Sequence, residues 1–148
     1  MQRRLFLQAG AWMAGVLAVL PQKALAAWPT QAFKSTKMQE SIKALYGTED
    51  YAVSDAVLFK APEIAENGAV VPISVKYDGP VKNIAIFVEE NPAPLVSSFD
   101  MSTKSVANIS TRIKMGKGSK VHAIVQTADG KLIGAVKEVK VTIGGCGG

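Results

Sequence analysis

The spacing of apolar residues changes once along this chain, from a helical period to a strand period. Met38, Ile42 and Leu45 recur at i, i+4 and i+7, one face of a helix. Thr36, with Gln39 three positions later, forms a capping-box pattern ahead of them, and Gly47 is a natural stop. Residues 27–34 read as an unpacked lead-in to this helix.

From about residue 56 the period is two. Val71, Ile73, Val75 and Tyr77 alternate with Pro72, Ser74 and Lys76, a half-buried strand. Pro72 has no N–H to give a ladder, so this strand is expected to begin there or to lie on a sheet edge. Asp78-Gly79-Pro80 turns the chain. Ile84, Ile86 and Val88 oppose Ala85 and Phe87, so both faces of the next strand need cover. A second sheet supplies one cover, and the other is expected to come from a partner subunit.

Asn91-Pro92-Ala93-Pro94 breaks that strand, and Leu95 to Phe99 forms a short one. Ala107, Ile109, Thr111, Ile113 and Met115 alternate with polar residues, and Gly116-Lys117-Gly118 leads into Val121, Ala123 and Val125. Asp129-Gly130 is a hairpin signal. In the last strand Val139, Val141 and Ile143 share a face while Val136 falls on the other, which predicts a bulge near Lys137-Glu138. Short strands at this spacing with few helices predict an all-β, immunoglobulin-like β-sandwich with a short N-terminal helix.

The first 26 residues are set apart from that fold. Arg3 and Arg4 precede an apolar run, Ala9 to Leu20, that is too short to span a bilayer, and Ala24-Leu25-Ala26 is a small-x-small cleavage site. Leu5-Phe6-Leu7 after the arginine pair resembles a twin-arginine signal, and Lys23 beside the cleavage site fits that type better than a general secretory one. The expected organisation is a signal peptide over 1–26, a helix-plus-sandwich domain over 27–143 and a flexible arm over 144–148, with the mature chain in the periplasm. An uncleaved N-terminal anchor is the alternative.

Cleavage changes the charge. The whole chain has 17 basic and 12 acidic residues, and removing Arg3, Arg4 and Lys23 lowers the formal net charge from +5 to +2. The mature part has neither a basic stripe nor aromatics interleaved with Lys and Arg, so no nucleic-acid partner is expected. One Cys and one His, Cys146 and His122, are too few ligands for a zinc, iron–sulfur or haem site, and no cofactor is expected. Lys60, Arg112 and Lys114 could guide an anion, although a solvated strand face accounts for them better. His122 reads as a surface or interface residue and the Glu89-Glu90 pair as solvated.

The chemistry is concentrated in Gly144-Gly145-Cys146-Gly147-Gly148. Five residues of which four lack a side chain cannot belong to a core. They follow a strand ending at Ile143, so the sequence describes a thiol on a tether fixed to a rigid domain. Three residues beyond Ile143 reach roughly 10 Å at ~3.3–3.6 Å per residue, and bare glycines let the tip enter a narrow channel. A thiolate is both nucleophile and attachment point. No Lys, Arg or His lies in the last eight positions to activate it, so activation has to come from whatever receives the arm. No catalytic residue is assigned within this chain.

That composition describes an exported thiol carrier. An interaction module that uses Cys146 as an intermolecular disulfide staple is the alternative. A thiol oxidoreductase is disfavoured because no C-x-x-C is present, and a prenyl anchor because Cys146 is third from the end, with glycines after it.

The tail resembles the SoxY family, the thiosulfate carriers of the bacterial sulfur-oxidising Sox system. So do two further stretches, Pro62-Glu63-Ile64-Ala65-Glu66-Asn67-Gly68-Ala69-Val70-Val71-Pro72 and Ile109-Ser110-Thr111-Arg112-Ile113-Lys114-Met115. The resemblance implies that Cys146 is the carrier cysteine and that Gly144, Gly145, Gly147 and Gly148 form its swinging arm. It also implies a heterodimer with a SoxZ-like β-sandwich subunit. A c-type cytochrome would couple thiosulfate to the cysteine as an S-thiosulfonate, and a manganese-dependent hydrolase would release sulfate. A sulfane dehydrogenase would oxidise the remaining sulfur where the organism has one.

Changing both Arg3 and Arg4 to lysine should leave precursor in the cytoplasm, as read by fractionation and blotting. Export at normal efficiency would rule out the twin-arginine assignment.

Overall fold

The computed structural model describes residues 28–142. Two short helices, α1 (Thr30–Lys34) and α2 (Met38–Tyr46), precede nine strands: β1 (Ala52–Val53), β2 (Val57–Lys60), β3 (Ile64–Ala65), β4 (Val71–Tyr77), β5 (Val81–Val88), β6 (Leu95–Asp100), β7 (Ala107–Ile113), β8 (Ser119–Thr127) and β9 (Leu132–Val141). The larger sheet runs β1-β9-β8-β5-β6, with β3 also on β9, and the smaller runs β2-β4-β7. The two sheets form an open β-sandwich, as the strand spacing predicts.

The alternation read from sequence sets the core. Val71, Ile73 and Val75 of β4 and Ile113 of β7 meet Ile84, Ile86 and Val88 of β5 and Val121, Ala123 and Val125 of β8 between the sheets. Val81 joins this face although it is out of step with Ile84. The pairing of β5 with β8 shifts between Val81 and Asn83, which rotates the chain by one residue.

The other face of β5 is covered from within the chain, which corrects the expectation of a partner there. Ala85, Phe87, Leu95 and Ile124 pack against Ala32 of α1 and Met38 and Ile42 of α2. Helices of five and nine residues do not persist alone in water. Their apolar side chains contribute roughly 1.5–3 kcal/mol each when buried, so the sheet holds the helices while the helices cover the sheet. Residues 30–34 are therefore no loose lead-in: Ala32 is fully buried, and Ser41 Oγ of α2 donates to its carbonyl at 2.8 Å. Tyr46 pins the far end, its hydroxyl 2.6 Å from Asn83 Oδ1, while Asn83 Nδ2 donates to Ser98 Oγ and Asp100 Oδ1 at 2.9 and 2.8 Å.

Two further readings change and two hold. The N-cap of α2 is Lys37, with no side-chain capping bond, so Thr36 and Gln39 form no capping box. Gly47 does end the helix in the left-handed conformation, φ 80°. Pro72 is the second residue of β4, so the strand begins there as expected; β4 is central in its sheet, but β2 pairs with it only as far as Lys60↔Ser74, so one side of Pro72 has no strand to receive an N–H. β9 carries no bulge: its register with β8 is continuous from Leu132↔Gln126 to Val139↔Ser119. Val136 simply faces outward, where with Val53 and Leu58 it lines a groove of about 520 Å³. Besides the shift between β5 and β8, register shifts between β5 and β6, where Ile86↔Ser97 is followed by Phe87↔Leu95 and Val96 is the extra residue.

Candidate carrier site

Cys146 and the arm glycines Gly144, Gly145, Gly147 and Gly148 lie outside the described residues, as does the signal segment 1–26. The structure shows the root from which the arm departs. β9 is fastened up to its last residues: β8 holds one edge as far as Val139, and on the other edge β3 takes over in parallel as Ile64↔Lys140 and Ala65↔Val141. Lys140 N–H donates to Glu63 O at 2.9 Å, and Thr142 N–H to Ala65 O at 3.1 Å.

Behind this clamp Gly68 lies between β9 and the end of the β7 segment. Met115 N–H donates to Gly68 O at 2.7 Å, and a side-chain carbon on Gly68 would run into the Met115 carbonyl and press on Val141 Cγ1 at 3.0 Å. Gly118 also lies against β9, its missing Cβ position in van der Waals contact at 3.4 Å with the backbone of Val139, Lys140 and Val141. The stretches 62–72 and 109–115, distant in sequence, thus converge on one place. They register against each other as Val71↔Ile113 and Pro72↔Arg112 and enclose the strand that leads to Cys146. From Thr142 the four residues to Cys146 reach roughly 13–14 Å.

The structure brings Lys60 and Arg112 together on a groove of about 480 Å³ on the outer face of the smaller sheet, with Pro72, Ser74 and Ser110. Arg112 and Lys114 border a second groove of about 530 Å³ on the open flank between β6 and β7. Among the described residues none of these three cations forms an ion pair, whereas Lys37, Lys43, Lys76, Lys117 and Lys131 all do. No group of three or more His, Cys, Asp and Glu side chains able to hold a metal occurs among the described residues, nor any helix long and apolar enough to cross a membrane.

Sequence reasoning missed one polar cluster. His122 is not a surface residue: its side chain is only 12 % exposed, and Tyr51 Oη lies 2.6 Å from Nδ1. Glu89 is not merely solvated either, for its Oε2 approaches His122 Nε2 at 3.5 Å. A proton on Nε2 facing that carboxylate leaves Nδ1 to accept from the Tyr51 hydroxyl. At 3.5 Å the Glu89 approach is too long to be a formed bond, and Nε2 is otherwise unpartnered. Burial lowers the His122 pKa below 6.5, with Lys120 acting in the same direction and Glu89 opposing. Burial raises that of Tyr51, with Glu89 adding to it. Glu90, beside it, pairs with Lys117 at 2.7 Å. Gly134 makes the cluster possible, because a Cβ there would strike the Tyr51 ring at 2.7 Å. A glycine inside a strand is the sequence signal for such a close approach.

The family model of the sulfur oxidation protein SoxY matches residues 42–146. The chain belongs to the SoxY family. It is similar to the sulfur carrier protein SoxY from Chlorobium limicola f. thiosulfatophilum, with 41 % identity over 78 % of this chain and 100 % of that one and a TM-score of 0.64. It also superimposes on a superoxide reductase (neelaredoxin) from Ignicoccus hospitalis, with 14 % identity, 62 % and 95 % of the two chains covered and a TM-score of 0.55. A putative superoxide reductase from Thermotoga maritima gives 15 % identity, 64 % and 89 % coverage and a TM-score of 0.50. At such identities these two share the sandwich fold alone. A comparison with curated proteins gives no match.

The His122 cluster makes stability depend on pH. Its folded pKa lies below the unfolded value, so the unfolded chain takes up the proton first. The contribution is complete above about pH 6.5 and is lost as pH falls through the lowered value. Thermal melts of wild type and His122→Gln between pH 7.5 and 5 should show the wild type losing more stability on acidification. Parallel profiles would contradict this.

Proposed function

We propose that this protein carries sulfur covalently on Cys146 and presents it to partner enzymes, without catalysing a reaction itself. The observation that carries the reading is the extent of the family match, which runs to residue 146, the cysteine itself. The 41 % identical Chlorobium protein is a sulfur carrier, and the clamp at Lys140–Thr142 provides the rigid base that a tethered thiol needs.

The loading step forms one sulfur–sulfur bond. The Cys146 thiol and thiosulfate give Cys146–S–S–SO3⁻, releasing one proton and two electrons, which a c-type cytochrome accepts. Water then attacks the sulfonate sulfur on a manganese-dependent hydrolase, releasing sulfate and two protons and leaving a persulfide anion on Cys146. A sulfane dehydrogenase takes the remaining sulfur where one exists. The glycines allow each partner to draw in the tip and supply the activating charges that the tail lacks. The proposed setting is the periplasm, reached through the twin-arginine route, with a SoxZ-like β-sandwich subunit as heterodimer partner. That partner is not needed to cover β5, which the helices already bury.

Cys146→Ser should abolish thiosulfate-dependent electron transfer in the reconstituted system while leaving the fold intact, since the residue lies beyond the packed strands. Gly144→Pro with Gly145→Pro fixes two φ angles and adds bulk, and should slow turnover severely although the thiol still reacts with a small reagent. Normal turnover of the serine variant would defeat the carrier reading, and full activity of the double-proline variant would remove the swinging arm from it.

A further inference from the structure

The outer faces of the two sheets differ. That of the larger sheet is buried under α1 and α2 through Ala85, Phe87 and Ile124. That of the smaller sheet is open, and the alternation of β2, β4 and β7 sets which side chains it shows. The register arranges them in rows. Lys60, Ser74 and Ser110 lie side by side across the three strands. Leu58, Lys76 and Asn108 form the row on one side, and Pro72 and Arg112 the row on the other. Lys114 follows Arg112 in the same phase, one residue past the end of β7. The two serines are short, so the middle of the face is sunk into the groove of about 480 Å³ that Lys60 and Arg112 line from the two edge strands.

Three observations point to an acidic protein partner. First, Lys60, Lys76, Arg112 and Lys114 are basic, and no outward position of these strands is acidic. A merely solvated face mixes both signs, and this one does not. Removing Arg3, Arg4 and Lys23 from 17 basic residues leaves 14, and these are four of them, so ten basic residues meet twelve acidic ones over the rest of the chain. Positive charge is gathered on one face. Second, most of that charge is available. Lys76 pairs with Asp78 in the turn after β4, while Lys60, Arg112 and Lys114 form no ion pair among the described residues. Third, the face is polar, with Leu58 and Pro72 its only sizeable apolar side chains. Lasting interfaces are larger and more apolar, whereas small, charged contacts belong to brief electron-transfer encounters.

We propose that this face is the docking surface for the electron-accepting cytochrome of the loading step, which meets it with a cluster of carboxylates. Arg112 takes one carboxylate through its planar fork, Lys60 and Lys114 draw in others, and Ser74 and Ser110 donate from the floor of the groove. The Arg112 end of the face lies beside the end of β9: Met115, three residues on, donates to Gly68 O, and Gly68 abuts Val141. The attraction reaches about 10 Å at 0.1 M salt, so it speeds the encounter and leaves release easy, as a carrier that visits several enzymes in turn requires. This inference rests on the carrier reading for the identity of the partner.

Binding of the purified cytochrome to the Cys146→Ser chain, kept with any subunit that accompanies it, tests the face without chemistry at the thiol. Calorimetry compares roughly 50 mM with roughly 300 mM salt. Lys60→Gln with Arg112→Gln and Lys114→Gln should weaken binding roughly tenfold at the lower salt and flatten its salt dependence. Removing the same charge from the helical side, by Lys34→Gln with Lys37→Gln and Lys43→Gln, should change it about twofold or less. All six side chains are exposed, and thermal melts check that both variants fold like their parent. In the reconstituted system with Cys146 present, the first variant should raise KM for the carrier and leave kcat unchanged. Binding of the first variant within about twofold of its parent would overturn the docking face and leave the carrier reading in place, as would an equal loss in the helical variant. Normal thiosulfate turnover by Cys146→Ser would instead remove the carrier reading, a result that the binding measurement cannot produce.

Discussion

β9 closes the larger sheet and also carries the arm. Its early residues pair with β8 on one side and with the two-residue β1 on the other, as Ala52↔Ile133 and Val53↔Gly134. Its last residues are gripped by β3. The strand is held by β8 as far as Val139 and by β3 at Lys140 and Val141, and the sequence turns to consecutive glycines within a few residues. On the carrier reading proposed above, this gives the thiol-bearing tail a fixed origin. Gly68 sustains it, because a side chain there would run into the Met115 carbonyl and press on Val141.

The remaining elements keep that origin in place. β5 is buried on both faces, between the sheets through Ile84, Ile86 and Val88 and under the helices through Ala85 and Phe87. The helices are tied to the sheet by polar contacts at their far end, Tyr46 to Asn83 and, a few residues on, Tyr51 to His122. The surfaces left over are the polar outer face of the smaller sheet, the apolar groove beside Val136, and the flank between β6 and β7.

Much of this was legible beforehand because it depends on local period. The phases of β4, β7 and β8, the α2 stripe, the Gly47 stop and the Asp129-Gly130 turn, where Gly130 has φ 89°, all follow from spacing and backbone preference. The thiol-bearing tail was legible for a different reason, since glycines around a single cysteine leave few physical readings. What was not legible depends on contacts between distant segments. α1 is too short to show a period and exists because Ala32 meets the sheet. Val136 looked out of phase because its burial, not its register, departs from the pattern. The pairing of Tyr51 with His122 joins residues 71 apart, and only Gly134 hinted at it. Likewise, two stretches with a family likeness, 62–72 and 109–115, gave no sign in sequence that both close around the arm root.

The central claim is that Cys146 holds sulfur covalently in the cell. Intact mass of the protein isolated from cells oxidising thiosulfate, taken before and after reductant and followed by mapping of the C-terminal peptide, tests it most directly. The account predicts a sulfur-sized or thiosulfate-sized increment on the peptide containing Cys146 that reductant removes. A doubled mass that reductant halves, with no such adduct, would instead show an intermolecular disulfide and contradict the account.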